Sequence, residues 1–422
     1  MKVAYDISVL GLGFFNSRAR TGVFRVVECL AMELVKKQAI SHFSSAKGIV
    51  NYLQCQDYLV SNKSIESVSM IEPNINQSIV KLYKILHSIS DKTEKPFWYI
   101  KGMNRVATKI DSLCFSESGL SSFELDNCDV FHSPFYPIPQ RIKKHKNIKK
   151  VLTIHDLIPV LYPGFFQFQE NHLITDIIKS IDETTWVTCV SSATKDDLCN
   201  YLPTLDPDRV FVTHLAASKL FYAEKDIINI NKIRNKFEIP EGEYVLSLST
   251  LEPRKNIAQT IKCFSRIVLE QSIPDLSLVL VGAKGWDYDS IFDEIAATPN
   301  IKKKIIITGY VPDEYLAPLY SGALMFVYPS YYEGFGLPPL EAMQCGVPVI
   351  TSNTSSLPEV VGDAGIMVEP DDESGLSQAI LDVYSSPSIR DEMKKKSLLQ
   401  SKKFSWERCS EKTIDVYKKA IS

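Results

Sequence analysis

Two glutamates, Glu333 and Glu341, flank a glycine- and proline-rich turn whose chemistry suits an anionic ligand. The turn reads Glu333-Gly334-Phe335-Gly336-Leu337-Pro338-Pro339-Leu340-Glu341. The apolar run at 323–328 predicts a buried strand before it, and the two prolines suit a first helical turn after it. A loop that leads into a helix directs free N–H groups and the positive end of the helix toward one point, where a phosphate can bind.

The carboxylates give this turn a second function. A carboxylate beside a phosphate is repelled, whereas one that accepts hydrogen bonds from vicinal hydroxyl groups is stabilised. Glu333 lies in the loop and Glu341 about one turn inside the helix, so they lie on either side of the N–H groups. The pattern therefore predicts a diphosphate in the middle and a sugar on each side.

A second motif supplies positive charge. A strand predicted at 243–249 is followed by Glu252-Pro253-Arg254-Lys255-Asn256. Arg254 can donate two parallel hydrogen bonds to phosphate oxygens, and Lys255 adds a point charge. Two adjacent cations at a strand end can offset the charge of a leaving diphosphate.

Together the two motifs resemble those of the retaining nucleotide-sugar glycosyltransferases of family four, which have the GT-B fold. The likeness covers most of residues 240–365. It implies that Glu333 contacts the donor hexose and Glu341 the nucleotide ribose, while a backbone group near Val311 reads the base. It also implies that the loop residues bind the substrate: Gly334, Phe335, Gly336 and Leu337.

The N-terminal half offers three further candidates. A strand predicted at 2–9 leads into a glycine-rich loop at 11–22, and by the resemblance Gly22, at the following helix start, faces the donor. His155-Asp156 ends another predicted strand and resembles the family's His-Asp turn, whose histidine points to the donor sugar. The carboxyl ends of parallel strands line the ligand crevice of an open α/β sheet. His132, at the end of the neighbouring strand, is a secondary candidate.

The length of 422 residues exceeds a usual single core and indicates two domains. By the resemblance, the fold is α/β of the GT-B type, with two Rossmann-like domains that face a cleft. We expect an N-terminal acceptor-side domain at 1–215 and a nucleotide-sugar-binding domain at 216–404. A C-terminal helix at 405–422 is expected to pack back on the first domain.

No metal or cofactor is expected. The nine cysteines show no CxxC spacing and are typical of reduced thiols rather than of a zinc site. Asp287-Tyr288-Asp289 has the DxD form that other glycosyltransferase folds use for a metal. Its position at a predicted helix start explains both aspartates, because acidic residues are favourable there.

Composition points to a cytoplasmic protein. The net charge is −3, no apolar run of signal length follows the N-terminus, and no stretch approaches eighteen apolar residues. Basic residues at 79–110 and 141–150, the first with aromatic residues at 96–99, can mark peripheral contact with an anionic membrane. Solvated helix faces explain them equally well. A nucleic-acid partner is disfavoured because no recognition motif accompanies them.

A narrower resemblance favours one donor over the others. Leu251 to Asn256 and His155 to Pro159 look like segments of bacterial polysaccharide mannosyltransferases, which implies GDP-mannose as donor, a glycan or lipid-linked acceptor, and retained configuration. UDP-hexose, dTDP-rhamnose and GDP-fucose remain open. Two other classes also remain: a sugar-nucleotide epimerase of the same fold, and a catalytically silent sugar-binding subunit of an assembly complex. Intact Arg254, Lys255, Glu333 and Glu341 argue against the silent subunit.

Overall fold

Two parallel β-sheets organise the chain. The computed structural model describes residues 1–16, 22–72, 125–166, 172–285 and 289–422. The first sheet contains β1 (Val3–Asp6), β2 (His42–Ser44), β3 (Val130–Ser133), β4 (Lys149–Ile154), β5 (Thr185–Cys189) and β6 (Val210–Val212). The second contains β7 (Glu243–Leu248), β8 (Leu276–Val281), β9 (Ile305–Gly309), β10 (Met325–Tyr328), β11 (Val349–Ser352) and β12 (Ile366–Val368). The strand orders are β2-β1-β3-β4-β5-β6 and β12-β11-β10-β7-β8-β9.

Helices cover both sheets, and central strands such as β1, β3, β8 and β10 are buried along their whole length. This is the usual result when crossover helices pack on both faces of a parallel sheet. The helices of the first half are α1 (Ser8–Phe15), α2 (Gly22–Lys36), α3 (Gly48–Ser61), α4 (Gln140–Lys144), α5 (Ile158–Leu161), α6 (His172–Lys179) and α7 (Ser192–Tyr201). Those that follow are α8 (Ile227–Lys236), α9 (Ile257–Glu270), α10 (Asp289–Ala297), α11 (Leu316–Ser321), α12 (Leu337–Gln344), α13 (Leu357–Val361), α14 (Glu373–Ser385), α15 (Pro387–Ser401) and α16 (Trp406–Ile421).

The segment after β1 differs from the prediction. The strand ends at Asp6, whose Oδ1 accepts hydrogen bonds from the N–H and hydroxyl of Ser8, and α1 occupies residues 11–15 of the predicted glycine loop. Gly11 packs closely on α3, since a Cβ there would lie 2.6 Å from the Cys55 Sγ. The prediction of a strand to residue 9 and a loop from residue 11 was therefore wrong. Gly22 does begin a helix, as expected.

The last helix returns to the first half, as the resemblance implied. Val416 and Tyr417 of α16 belong to the apolar core around β1 and β3. The Tyr417 hydroxyl lies 2.6 Å from His132 Nδ1, and Lys37 Nζ lies 3.0 Å from Glu411 Oε1. Sheet one ends at Val212 and sheet two begins at Glu243, while the domain boundaries at 215/216 and 404/405 stay a prediction.

Several expectations about metals and membranes fall partly outside the described ranges. Asp287 and the 79–110 segment lie outside them, whereas Asp289 is the first residue of α10. In the 141–150 segment, Lys150 pairs with Asp182 at 2.8 Å and His145 with Asp126 at 2.8 Å. Within the described ranges no helix is long and apolar enough to span a bilayer. The same ranges contain no group of three or more potential metal-ligating His, Cys, Asp or Glu residues.

Candidate active site at the loop between β10 and α12

The loop after β10 ends in a left-handed backbone conformation, and a helix starts directly after it. Gly336 has φ 107° and ψ 49°, a left-handed conformation that favours glycine, and α12 begins at the next residue. The next two residues are prolines, which have no N–H to offer. Among the described residues, the N–H groups of 334–337 have no hydrogen-bond acceptor. These four donors are the part of the turn that can bind an anion.

Glu333 lies at the centre of a buried charged cluster. Its Oε1 accepts hydrogen bonds from Lys255 Nζ at 2.6 Å, Ser330 Oγ at 2.6 Å and the Tyr328 hydroxyl at 2.8 Å. Its Oε2 lies 3.0 Å from Arg254 Nη1. Only 8% of the Glu333 residue surface is exposed. The two motifs found in the sequence are therefore one unit in space.

Electrostatics keep the Glu333 carboxyl ionised. Burial alone raises its pKa, but Arg254 and Lys255 outweigh burial and lower the pKa to about 2. Burial lowers the pKa of the Lys255 amine, and the neighbouring Arg254 adds to this effect. Arg254 and Lys255 are balanced by two carboxylates, since Glu333 contacts both cations and Glu252 contacts Arg254 at 2.8 Å.

Arg254 contacts three groups, and one of its N–H donors has no partner among the described residues. Nη1 donates to the Tyr332 carbonyl at 2.6 Å, and Nη2 donates to Glu252 Oε1 at 2.8 Å. Its Nε is buried and has no hydrogen-bond acceptor among the described residues. Since a buried donor normally has a partner, the free Nε–H marks a position where an anionic ligand can bind.

The His155-Asp156 turn contacts the same loop. A Cβ built on Gly334 would lie 2.1 Å from the His155 carbonyl oxygen, so any larger residue would displace the turn. The Ser191 hydroxyl donates to the Gly334 carbonyl at 2.6 Å and joins β5 to the loop. Burial raises the pKa of the Asp156 carboxyl, and the positive charge of Arg254 opposes this shift.

His155 is set up as a neutral acceptor. Its Nε2 donates to the Pro134 carbonyl at 2.8 Å, and burial lowers the pKa of the imidazole. A neutral ring with the proton on Nε2 leaves Nδ1 with a lone pair. His132 differs, because its two nitrogens lie 2.6 Å from the Tyr417 hydroxyl and 2.8 Å from Thr153 Oγ1. Those partners and its full burial indicate that His132 has a structural role, in which it joins β3 to α16.

Glu341 lies about one turn into α12 and faces the N-terminal half. Its Oε1 is 3.1 Å from Arg25 Nη1, and the same nitrogen is 3.6 Å from Asp313 Oδ2. Burial raises the pKa of the Glu341 carboxyl, and Arg25 opposes that shift. Arg25 was not among the predicted site residues. One signal was available, because a cation in the first turn of a helix is unfavourable unless an acid compensates it.

The remaining predicted residues border these groups. Gly22 faces the loop, since a Cβ there would lie 3.8 Å from Leu337 Cδ1. Val311 is buried in the core two residues before Asp313, and Phe335 is buried against Phe404 with ring centroids 5.8 Å apart. The structure thus gathers the candidates around one region of contact between the two halves. Their binding roles stay predictions.

Comparisons with known sequences identify the family of the chain. Residues 229–399 match the family model described as Glycosyl transferases group 1. The O-antigen chain mannosyltransferase B of Escherichia coli is 35% identical over 290 residues, which cover 68% of this chain and 74% of that protein. The serotype-specific mannosyltransferase WbdA of Escherichia coli is 30% identical over 283 residues, which cover 65% of this chain but only 34% of that protein.

A solved structure extends the likeness to the fold. Sucrose-phosphate synthase from Thermosynechococcus elongatus matches with a TM-score of 0.68 at 18% identity, and covers 99% of this chain and 98% of that chain. The predicted α/β architecture with two Rossmann-like domains is confirmed. The chain belongs to the group 1 glycosyltransferases and has the GT-B fold.

Proposed function

We propose that this glycosyltransferase moves a mannosyl unit from GDP-mannose to a glycan or lipid-linked acceptor during surface polysaccharide biosynthesis, with retained configuration. The observation that carries the proposal is the Arg254–Lys255–Glu333 cluster beside four unpaired N–H groups at 334–337. Two relatives that are mannosyltransferases by name support the choice of sugar.

The cluster suggests how the leaving group is stabilised. The bond between the sugar C1 and the diphosphate oxygen breaks, and the diphosphate keeps the electron pair. Arg254, Lys255 and the loop N–H groups bind the charge that develops there, and such preorganised electrostatics are commonly the largest catalytic contribution. The acceptor oxygen bonds to C1 from the same face, and its proton passes to the leaving phosphate.

Glu333 contributes to this step through the cations it holds. Both of its oxygens already contact donors, so it fixes the positions of Arg254 and Lys255. Among the described residues, Oε2 contacts only Arg254, so it can accept a hydrogen bond from a hydroxyl of the donor hexose, in keeping with the predicted contact. Under the proposal, Glu341 binds the ribose and His155 faces the donor sugar.

The proposal includes no metal, because the two cations and the N–H groups meet the charge of the diphosphate. It places the enzyme in the cytoplasm, with salt-sensitive contact to the inner membrane face through basic segments. The complete charged cluster and the transferase names of the relatives favour transfer over the epimerase and the silent subunit.

The proposed donor is tested by ranking GDP, UDP, dTDP and ADP in thermal unfolding. A nucleotide at about a hundred times its Kd stabilises the protein by about 2.7 kcal/mol, which raises the melting temperature by about 2–4 °C. We expect GDP to give the largest shift. We also expect Glu341→Ala to diminish that shift, because it removes the ribose contact.

Glu314→Ala is the matched control, since Glu314 is an exposed carboxylate beside Asp313. It should leave the GDP shift intact. A larger shift with UDP or dTDP would overturn the mannosyl assignment and leave glycosyl transfer standing. No shift with any of the nucleotides would overturn both.

A further inference from the structure

Four aromatic rings from both halves form a cluster beside the charged site. Tyr162 lies 4.8 Å from Tyr332 between ring centroids, and Phe165 stacks on Tyr331 at 5.6 Å. Tyr162 and Phe165 are themselves 6.1 Å apart. We call these four residues the aromatic cluster.

The aromatic cluster is open on one side. Tyr162 is 41% exposed. Between it and Phe165, a Cβ built on Gly164 would meet no described atom within 4 Å. The exposed side of the Tyr162 ring is therefore available to a ligand.

Carboxylates border the rings. The Tyr331 hydroxyl donates to Asp371 Oδ1 at 2.8 Å, and the Tyr332 hydroxyl donates to Asp197 Oδ2 at 2.8 Å. This negative border is unfavourable for a nucleotide or any other phosphate. It suits a ligand with many hydroxyl donors, because a hydrogen bond to an ionised carboxylate is stronger than one between two neutral groups.

The aromatic cluster is continuous with the proposed catalytic site. Tyr331 and Tyr332 directly precede Glu333, and the Tyr332 carbonyl accepts the hydrogen bond from Arg254 Nη1 at 2.6 Å. A molecule that lies on the rings therefore reaches the place where the donor sugar is expected. Since the acceptor must reach the donor sugar, it is the ligand that this position fits best.

We propose that the aromatic cluster is the acceptor subsite and that it binds the pyranose rings of a glycan chain. The C–H face of a pyranose is apolar and packs on the negative face of an aromatic ring, while its hydroxyl groups donate to Asp197 and Asp371. This inference rests on the proposed function, since it takes the transferred sugar to be added to a glycan.

The test measures binding of α-linked mannotetraose to the GDP-saturated protein by saturation-transfer NMR titration. We expect the double variant Tyr162→Ala/Phe165→Ala to weaken binding about tenfold, equivalent to about 1.4 kcal/mol. Tyr162→Phe keeps the ring face and should bind as the wild type does. Phe165→Leu keeps the apolar bulk without the ring and should weaken binding. Tyr201→Ala removes a ring that is 43% exposed, at the end of α7, and serves as the control.

Two results would overturn the subsite: no saturable binding of mannotetraose by the wild-type protein, or equal affinities for the wild type and the double variant. The GDP melting shift, measured on each sample, separates this failure from failure of the proposed function. If GDP still raises the melting temperature but the double variant binds the glycan as tightly as the wild type, only the acceptor subsite is refuted. If GDP does not raise the melting temperature of the wild type, the proposed donor site is refuted.

Discussion

Replacement of Glu333 by glutamine should lower kcat about 10²–10³-fold, the usual cost of losing one preorganised electrostatic partner. The amide would place an N–H₂ group or a neutral oxygen against Lys255 and Arg254, so both cations would lose the charge that fixes them. Breaking a buried ion pair at one partner also destabilises a protein by about 3–5 kcal/mol. Steady-state transfer rates and thermal unfolding measure the two effects.

The pH dependence of stability gives an independent check on Glu333. Its pKa falls from 4.5 to about 2 in the folded protein, so the folded state gains stability that is complete above pH 4.5 and is lost as the pH falls toward 2. Glu333→Gln should lack this component. Glu252→Gln, which alters a carboxylate that contacts only Arg254 within the charged cluster, is the control and should have a smaller effect on kcat. A near-normal kcat for Glu333→Gln would remove Glu333 from the site.

Removal of both cations should have an equally large effect. Each of Arg254→Ala and Lys255→Ala is expected to reduce kcat about 10²–10³-fold, because each removes a donor to the leaving diphosphate. The double variant should lose less than the product of the two, since both residues act through one cluster with Glu333. Single-turnover rates of the four proteins form the cycle that measures this coupling.

The matched control for the cations is Lys262→Ala/Arg266→Ala on α9. These side chains contact Glu373, Lys262 through Oε1 at 2.5 Å and Arg266 through the carbonyl at 3.2 Å, and they take no part in the site. Their loss should leave turnover near the wild-type rate. A double Arg254/Lys255 variant with comparable turnover would refute the role of both cations.

Much of the second domain could be predicted because its signals are local. The strands at β7, β8 and β10 are short apolar runs between turn residues, and the glycine and prolines around α12 mark the start of that helix. Local pattern does not show which side chains meet. Glu333 pairs with Lys255 across 78 residues, so the sequence could place both in one site but could not show that they neutralise each other.

Two parts of the first domain show where local reasoning fails. The helix α1 reads Ser-Val-Leu-Gly-Leu-Gly-Phe-Phe, which has no polar face and two glycines, so it lacks both the helical period and the propensity that identify a surface helix. Gly11 instead permits close packing on α3, and Gly13 permits close packing on Phe24 of α2. Arg25 meets Glu341 only because the two halves come together, a contact that no neighbouring residue encodes.

The most direct test of the central claim is a transfer assay with chemically defined donors. The protein is incubated in EDTA with mannotetraose and one of GDP-mannose, UDP-glucose or dTDP-rhamnose, and the products are analysed by NMR for nucleotide release and anomeric configuration. The account predicts that GDP-mannose is consumed, that GDP is released, and that the added mannose keeps the α configuration of the donor. Consumption of another nucleotide sugar with GDP-mannose left intact, or transfer only after manganese is added, would contradict it.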